Sequence, residues 1–282
     1  ARVGNMTMQA VIYYTLGSEP DLKENSVKME ILDGSGNVVR TLKSDAENRD
    51  GSGSASAYKI PANKGLNKAT WDYRSENYSE IKDLYVLSGG GDNITEGSKQ
   101  RPGDYTVRLS FDGEVMEQPL TIEYDPRVEV TNDQLMEKYE LTDQIDGSLR
   151  DLTDSIKTAR DARNQAEAEA KNDANDEDLK KLAQDIVNAV DAWEEKVVSA
   201  DRTYFQDTLN WPDMVFADMQ DIYRIVDNIV PPMNQRMRDR FGHINDRWQA
   251  LKPEYQAILT GPVAAFNDAY FAKRNKVILA SE

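Results

Sequence analysis

The spacing of apolar residues changes once along this chain, and that change limits the folds open to it. Between Pro102 and Pro126 apolar residues alternate with polar ones, which is the period of a half-buried strand. From Asn132 onward apolar residues recur every three or four positions, which is the period of a helix. The sequence therefore predicts a multidomain β + α protein, with β-structure over residues 1–127 and a helical bundle over residues 128–282.

The first domain consists of short alternating segments separated by turn residues. Asp112-Gly113 lies between two such segments, and this dipeptide is typical of a two-residue hairpin. Roughly six or seven short strands with turn signals between them predict an immunoglobulin-like β-sandwich. We expect Trp71 at the centre of its core, with Val11 and Tyr13 among the buried side chains. The other segments expected to form strands are Met8–Leu16, Val27–Asp33, Val38–Leu42 and Lys68–Tyr73.

The second domain is predicted to contain about four helices in an antiparallel bundle, because that arrangement buries every apolar stripe. Asn132 is suited to cap the first helix, and the second is expected to open at Asp176. Pro212 is expected in the first turn of the third helix, where a proline loses no hydrogen bond. Pro253 and Pro262 are expected to kink or break the last helical stretch.

The composition of the chain narrows the classes of partner. Asp and Glu total 50 against 34 Lys and Arg, so the net charge is -16. This charge repels a phosphate backbone and disfavours nucleic acid and anionic membranes as partners. Neither a bilayer-spanning apolar run nor a signal-peptide pattern is present, so we expect a soluble protein without membrane insertion. The absence of cysteine excludes disulfides and thiolate metal sites.

Residues that could carry catalysis or bind metal are few. His243 is the only histidine, and neither a serine nor a cysteine triad can be recognised around it. Asp213, Asp218 and Asp221 could pair for glycoside hydrolysis, but an acidic helix surface offers such spacings by chance, so a solvated face is favoured. We therefore predict no catalytic, cofactor-binding or metal-ligating residue and no cofactor.

Two further groups of residues invite a binding hypothesis. Aspartates on the first predicted helix suggest calcium, but they lie on a continuous helix rather than in an EF-hand loop. Five tyrosines could form a sugar-binding platform on the sandwich, although roles in the core and in strand pairs are favoured. The aspartates are Asp143, Asp146, Asp151 and Asp154, and the tyrosines are Tyr13, Tyr14, Tyr73, Tyr78 and Tyr85.

Several stretches resemble the C-terminal region of large bacterial BNR-repeat, sortilin-like β-propeller proteins, often labelled glycosyl hydrolases. The family phrase A-G-L-N-R-x-x-W-D-L-R-Y corresponds to KGLNKATWDYR, from Lys64 to Arg74. The other stretches are VKMEILDGSGNVVRTL, RPGDYTVRLSFDGEVMEQPLTIEYDPRVEVT and LNWPDMVFADMQDIYRIVDN. In that family a propeller precedes a sandwich similar to the flagellar hook-capping Ig-like domain, and a helical segment follows.

The resemblance implies a non-catalytic interaction and scaffolding tail of a larger exported bacterial protein, periplasmic, cell-surface or secreted. No Asp-box repeat of a propeller is found in the chain, so any hydrolase activity is expected to belong to a domain outside it. The expected partner is an upstream β-propeller domain or another protein. The alternative is a carbohydrate-associated accessory module that holds a propeller glycoside hydrolase near its polysaccharide.

Overall fold

The computed structural model describes residues 9–21, 25–46, 58–78, 81, 84, 96–172, 176–199 and 211–274. Two antiparallel sheets and a set of helices make this a mixed β + α fold. The chain divides into two compact units, which we call the β unit (residues 1–77 and 96–131) and the helical unit (residues 78–95 and 132–282). The chain passes between them after residues 77, 95 and 131, whereas the sequence predicts one change at residue 127.

The β unit contains six strands in the described residues, all paired antiparallel. The first sheet pairs β1 (Ala10–Leu16) with β4 (Gly65–Trp71). The second has the order β3-β2-β5-β6, formed by β2 (Lys28–Leu32), β3 (Val38–Lys43), β5 (Gly103–Phe111) and β6 (Glu114–Ile122).

The hairpin between β5 and β6 confirms the turn predicted from its sequence. Phe111 pairs with Glu114 across the two-residue loop. Asp112 and Gly113 both have positive φ angles, of 51° and 80°. Two consecutive positive φ angles define a type I′ turn, whose twist matches that of the flanking strands.

Side chains of both sheets belong to one hydrophobic core. Trp71 of the first sheet is 1% exposed, as predicted, and its ring lies 5.5 Å from that of Tyr105 in the second. The prediction that Val11 and Tyr13 are buried is wrong, because they are 48% and 63% exposed. Strand β1 instead buries the alternate positions, which are Ala10, Tyr14 and Leu16. The outer face of this sheet therefore carries large apolar side chains that the core does not use.

The helical unit contains five α-helices in its described part. They are α1 (Asn132–Asn172), α2 (Glu177–Val197), α3 (Val215–Asn228), α4 (Gln235–Ile258) and α5 (Ala264–Arg274). The longest, α1, contacts α2, α3 and α4. Its side chains Ile145, Leu149, Leu152 and Ile156 are fully buried, at the spacing of one helix face. No described helix has an apolar stretch that would reach across a bilayer.

The helix starts confirm one sequence prediction and correct another. Helix α2 opens where predicted, with the side chain of Asp176 accepting a hydrogen bond from the N–H of Leu179 at 3.1 Å. Helix α3 begins at Val215 instead of near Pro212. Pro212 is exposed and Val215 is buried, so the helix starts where its apolar face starts.

The last two prolines differ in their effect on the helix. Pro253 lies inside α4 without ending it. Pro262 lies in a π-helical turn, Leu259–Val263, that joins α4 directly to α5. A proline has no N–H to donate to the preceding turn, and a local π turn is one way for a helix to continue past such a gap. The stretch is therefore modified at Pro262 and not broken.

Candidate docking sites

A buried arginine organises one corner of the β unit. Arg40 on β3 is 1% exposed, and its Nη1 donates to the Tyr58 hydroxyl at 2.8 Å, the Ser75 carbonyl at 2.7 Å and Asn77 Oδ1 at 3.1 Å. Its Nη2 forms an ion pair with the Asp72 carboxylate at 3.2 Å. A buried guanidinium needs such partners because removing its charge from water is costly. We call these five residues the Arg40 corner.

The residues of the KGLNKATWDYR stretch have structural contacts at the same corner. Trp71 Nε1 donates to the Arg74 carbonyl at 2.8 Å, and the Arg74 N–H donates to Asp72 Oδ1 at 3.1 Å. Arg74 Nη1 donates to the Gly97 carbonyl at 2.6 Å. A Cβ at Gly97 would lie less than 3.0 Å from the carbonyl oxygens of Ser75 and Glu76, so no larger residue fits there. These contacts fix the path of the chain immediately before it leaves the β unit at residue 77.

In the helical unit, the chain is held after residue 77 by a tyrosine. Tyr78 is 3% exposed, and its hydroxyl donates to Asp146 Oδ1 on α1 at 2.5 Å. The Arg150 guanidinium lies 4.4 Å from the centre of the Tyr78 ring, and Arg150 Nε also donates to Asp146 Oδ2 at 2.8 Å. The Tyr223 ring of α3 meets the Tyr78 ring edge-on at 5.5 Å. We call this group of four residues the Tyr78 anchor.

Two more apolar side chains follow the anchor into the helical core. Ile81 is 4% exposed and Leu84 is 7% exposed, and both belong to the core formed by the helices. Tyr78, Ile81 and Leu84 recur every three residues in the otherwise polar stretch NYSEIKDL. This three-residue spacing is the sequence signal for the contact, but the stretch lies between β-type segments, and the prediction of a sandwich over residues 1–127 places it in the wrong unit.

The Tyr78 anchor predicts a sensitivity to alkaline pH. Burial raises the pKa of Tyr78 above its ordinary value of 10, and Tyr223 and Asp146 raise it further. The folded state therefore favours the neutral phenol, and its stabilising effect is complete below pH 10 and declines as pH rises through the folded pKa. Above pH 10 the unfolded state loses this proton while the folded state keeps it, so between pH 10 and the folded pKa we expect the free energy of unfolding of the helical unit to fall by about 1.4 kcal/mol per pH unit.

Urea titrations followed by helical circular dichroism between pH 8 and pH 11.5 measure this slope. Tyr78→Phe removes the ionisable group. Its free energy of unfolding should therefore fall less steeply with pH than that of wild type, by about 1.4 kcal/mol per pH unit. Tyr13→Phe is the matched control for loss of one tyrosine hydroxyl, because Tyr13 belongs to the β unit and the measurement follows the helical unit. Equal slopes for wild type and Tyr78→Phe would contradict the prediction.

Two of the three aspartates considered for hydrolysis form ion pairs with arginines. Asp218 forms ion pairs with Arg247 and, at 3.8 Å, with Arg240. Asp221 pairs with Arg240 at 3.2 Å and with Arg224 at 3.1 Å. Asp213 is exposed and precedes α3. The arrangement is a charged surface network between α3 and α4.

The aspartates of α1 point to separate partners. Asp146 accepts a hydrogen bond from the Tyr78 hydroxyl. Asp151 Oδ2 accepts hydrogen bonds from Trp248 Nε1 at 2.9 Å and from Lys252 Nζ at 2.7 Å. Asp143 and Asp154 are exposed, as is His243 on α4. In the described parts of the chain no three His, Cys, Asp or Glu residues are grouped to hold a metal ion.

The five tyrosines do not form one platform in the described structure. Tyr13 is exposed, whereas Tyr14 is buried and its hydroxyl donates to the Pro61 carbonyl. The Tyr73 ring lies 5.7 Å from the Trp71 ring, and Tyr78 belongs to the helical unit. Tyr85 lies outside the described residues.

The outer face of the first sheet carries a set of exposed apolar side chains. Val11, Tyr13 and Leu66 are 48%, 63% and 72% exposed. The register pairs Tyr13 with Lys68 and Thr15 with Leu66, which places Tyr13 and Leu66 on one face as diagonal neighbours. Lys68 on the same face is also exposed. We call Val11, Tyr13, Leu66 and Lys68 the outer patch.

Comparisons with protein-family models, curated proteins and solved structures found no match to this chain.

Proposed function

We propose that this chain is a non-catalytic interaction and scaffolding module whose β unit docks a folded protein domain through the outer patch. The observation that carries the proposal is the exposure of Val11, Tyr13 and Leu66 on the outer face of the first sheet. The alternate residues of β1 are the ones that enter the core, so these side chains are not required by the packing of the β unit. Grouped exposed apolar side chains are typical of interaction surfaces, and tyrosine is enriched at binding hot spots.

The charges beside the patch favour a partner with acidic groups. Lys68 is exposed and lies two positions from Leu66 on β4, so it borders Leu66 on the same face. The chain as a whole carries a net charge of -16, so a positively charged border differs from the acidic character of the rest of the chain. An apolar partner surface with an acidic rim would complement this arrangement.

The finer architecture that we propose for the two units suits a scaffold. For the β unit we propose an immunoglobulin-like sandwich, because both sheets contribute to one core around Trp71. For the helical unit we propose an antiparallel four-helix bundle, with α4 and α5 forming one helical length. Ion pairs between helices support a rigid surface, among them Arg160 with Glu194 and Arg163 with Asp191.

The resemblance to tails of sortilin-like propeller proteins supports a specific partner. On that basis we propose that the docked domain is a β-propeller of the same exported bacterial protein. The test first reads the coding sequence upstream of Ala1, and a propeller encoded there is then purified separately and titrated into this chain by calorimetry. A coding sequence without a propeller contradicts this choice of partner.

Substitutions then locate the contact. Tyr13→Ser with Leu66→Ser should weaken binding at least tenfold, about 1.4 kcal/mol, because these are the two most exposed apolar side chains of the patch. Val115→Ser with Met116→Ser is the matched control, since these β6 residues are 59% and 63% exposed but lie on the other sheet. Equal losses for the two pairs would contradict docking through the outer patch.

The carbohydrate alternative gives a different result in a parallel experiment. Insoluble bacterial and plant polysaccharides are used to pull down the chain and its Tyr13→Ala variant. Retention that Tyr13→Ala abolishes would favour sugar stacking on Tyr13 over protein docking. We expect no retention of either protein.

A further inference from the structure

We infer that Pro119 and Glu117 keep the outer edge of strand β6 from pairing with a second copy of this chain, and that replacing them turns this edge into a dimer interface. In the described part of the chain β6 (Glu114–Ile122) ends the second sheet, because its one neighbour there is β5. A long, exposed edge strand presents unpaired backbone groups on which another strand can be added. The inference uses different residues from the outer patch and does not depend on the proposed function.

The register of the β5–β6 hairpin shows which backbone groups of β6 face this edge. Phe111 and Glu114 flank the two-residue turn as a hydrogen-bonded pair, and such pairs recur at every second residue of an antiparallel ladder. The β6 residues between these pairs direct their N–H and C=O groups away from β5. In the described structure no backbone hydrogen bond reaches these outward groups. They belong to Val115, Glu117, Pro119 and Thr121.

The opposite edge of the same sheet is covered by the chain itself. On β3 the Lys43 N–H donates to the Tyr58 carbonyl at 2.9 Å, and the Lys43 carbonyl accepts from the Ile60 N–H at 3.1 Å. The Thr41 N–H donates to Glu76 Oε1 at 2.5 Å. A second copy therefore finds outward groups of β3 occupied, and β6 is the edge of this sheet that another strand can reach.

Pro119 lies at an outward position near the middle of β6. It is opposite Thr106 in a pair that exchanges no hydrogen bond between the strands, so its missing N–H does not weaken the hairpin. An added strand is affected differently, because the residue that faces Pro119 finds no donor. Proline at such a position is one way in which natural sheets prevent their edges from pairing.

Two copies of β6 that pair antiparallel along their whole length meet both obstacles. In that register Glu117 of one copy faces Pro119 of the other, so the hydrogen bond that residue 119 would donate is missing on both sides of the two-fold axis. The two Glu117 side chains become diagonal neighbours on one face, where like charges repel. The ion pair of Glu117 with Arg108, at 2.7 Å, offsets part of this repulsion within each copy, which leaves the proline as the larger obstacle.

Replacing both residues should complete the ladder between copies. Threonine at positions 117 and 119 supplies the missing donor, removes the charge and favours the extended backbone. Val115 and Met116, which are 59% and 63% exposed, supply apolar side chains that a paired strand would cover. Because the β3 edge is occupied, association should stop at a closed dimer and should not extend into a filament.

The experiment compares the full chain with variants at these two positions by sedimentation equilibrium, from about 10 µM to about 1 mM. Wild type should remain monomeric over this range. Pro119→Thr with Glu117→Thr, the double variant, should dimerise with a dissociation constant of about 100 µM or lower, at least tenfold below that of wild type. A double variant that stays monomeric at the highest concentration, a wild type that dimerises equally, or species larger than a dimer would overturn the inference.

The matched control moves the proline to the neighbouring outward position. Pro119→Thr with Glu117→Pro removes the same charge and the same original proline, but again leaves one outward position without an N–H. It should dimerise at least tenfold more weakly than the double variant. Equal dimerisation of the two would show that the outward N–H groups do not control pairing, and would refute the inference.

Pro119→Thr alone decides the question if the double variant fails to fold. It keeps the ion pair between Arg108 and Glu117 and restores the missing donor. Part of this single variant should therefore be dimeric at about 1 mM, more than of wild type. A folded single variant that is wholly monomeric there would refute the inference.

Amide exchange measured by NMR locates the interface. In wild type the amides of Val115 and Thr121 should exchange fast and that of Met116 slowly, because Met116 is hydrogen-bonded to β5. In the dimer of the double variant Val115 and Thr121 should become protected. A dimer without this protection would have formed through another surface and would contradict pairing through β6. Adding Tyr13→Ser and Leu66→Ser should leave the dimer unchanged, which separates this edge from the outer patch.

Discussion

Arg40→Met is expected to lower the free energy of unfolding of the β unit by about 3–5 kcal/mol, the usual loss when one partner of a buried charged network is removed. The substitution keeps much of the volume but leaves the Tyr58 hydroxyl, the Ser75 carbonyl, Asn77 Oδ1 and the Asp72 carboxylate without their shared donor. Each buried hydrogen bond that is lost with the guanidinium adds to the loss.

Hydrogen exchange followed by mass spectrometry measures this effect where it arises. Peptides from β3 and from residues 65–77 should lose protection, whereas peptides from α1 should keep it. Arg40→Lys should give an intermediate loss, because one ammonium group cannot reach partners on both sides of a guanidinium. Arg108→Met is the matched control: its side chain is 34% exposed, and its ion pair with Glu117 contributes less than about 1 kcal/mol. Similar losses for Arg40→Met and Arg108→Met would show that the corner does not stabilise the unit.

Trp248→Ala is expected to destabilise the helical unit by a similar amount, about 3–5 kcal/mol, as for other buried tryptophans truncated to alanine. Trp248 is fully buried on α4, and its indole N–H donates to Asp151 on α1 at 2.9 Å. The substitution creates a large cavity and removes one of the two donors to that carboxylate, leaving Lys252 as the other. Trp248→Phe should lose less, since it removes the hydrogen bond but fills most of the space.

Urea unfolding followed by circular dichroism at the helical band measures the loss in the helical unit. The matched control is Trp211→Ala, because Trp211 is 44% exposed and its truncation should change the free energy of unfolding by less than about 1 kcal/mol. A loss below 1 kcal/mol for Trp248→Ala would mean that α4 contributes little to the packing of this unit.

Features fixed by neighbouring residues could be predicted from the sequence. The Asp112-Gly113 turn and the start of α2 after Asp176 both depend on a few adjacent residues, and both are found where expected. The start of α3 is different, because nothing local to Pro212 requires a helix there. Burial of Val215 decides where that helix begins.

The outer patch and the Tyr78 anchor depend on contacts between residues that are distant in the sequence, so no local sequence pattern predicts them. Strand β1 has apolar residues on both faces, so its sequence does not determine which face is inward; pairing with β4, whose Ala69 and Trp71 are buried, decides this. Tyr78 could be assigned to the helical unit only by knowing that Asp146 and Tyr223 lie beside it. The sequence predicts the type of each unit but not that Tyr78, Ile81 and Leu84 belong to the helical one.

The burial of Tyr78, Ile81 and Leu84 in the helical core also affects the order of events on the ribosome. Asp146 lies 68 positions beyond Tyr78, and Tyr223 comes later still. A nascent chain must therefore carry the uncovered Tyr78, Ile81 and Leu84 side chains until most of the helical unit has emerged. Chain elongation proceeds at about 5–20 residues per second, so these side chains remain available to chaperones or to other nascent chains for roughly 7–28 seconds.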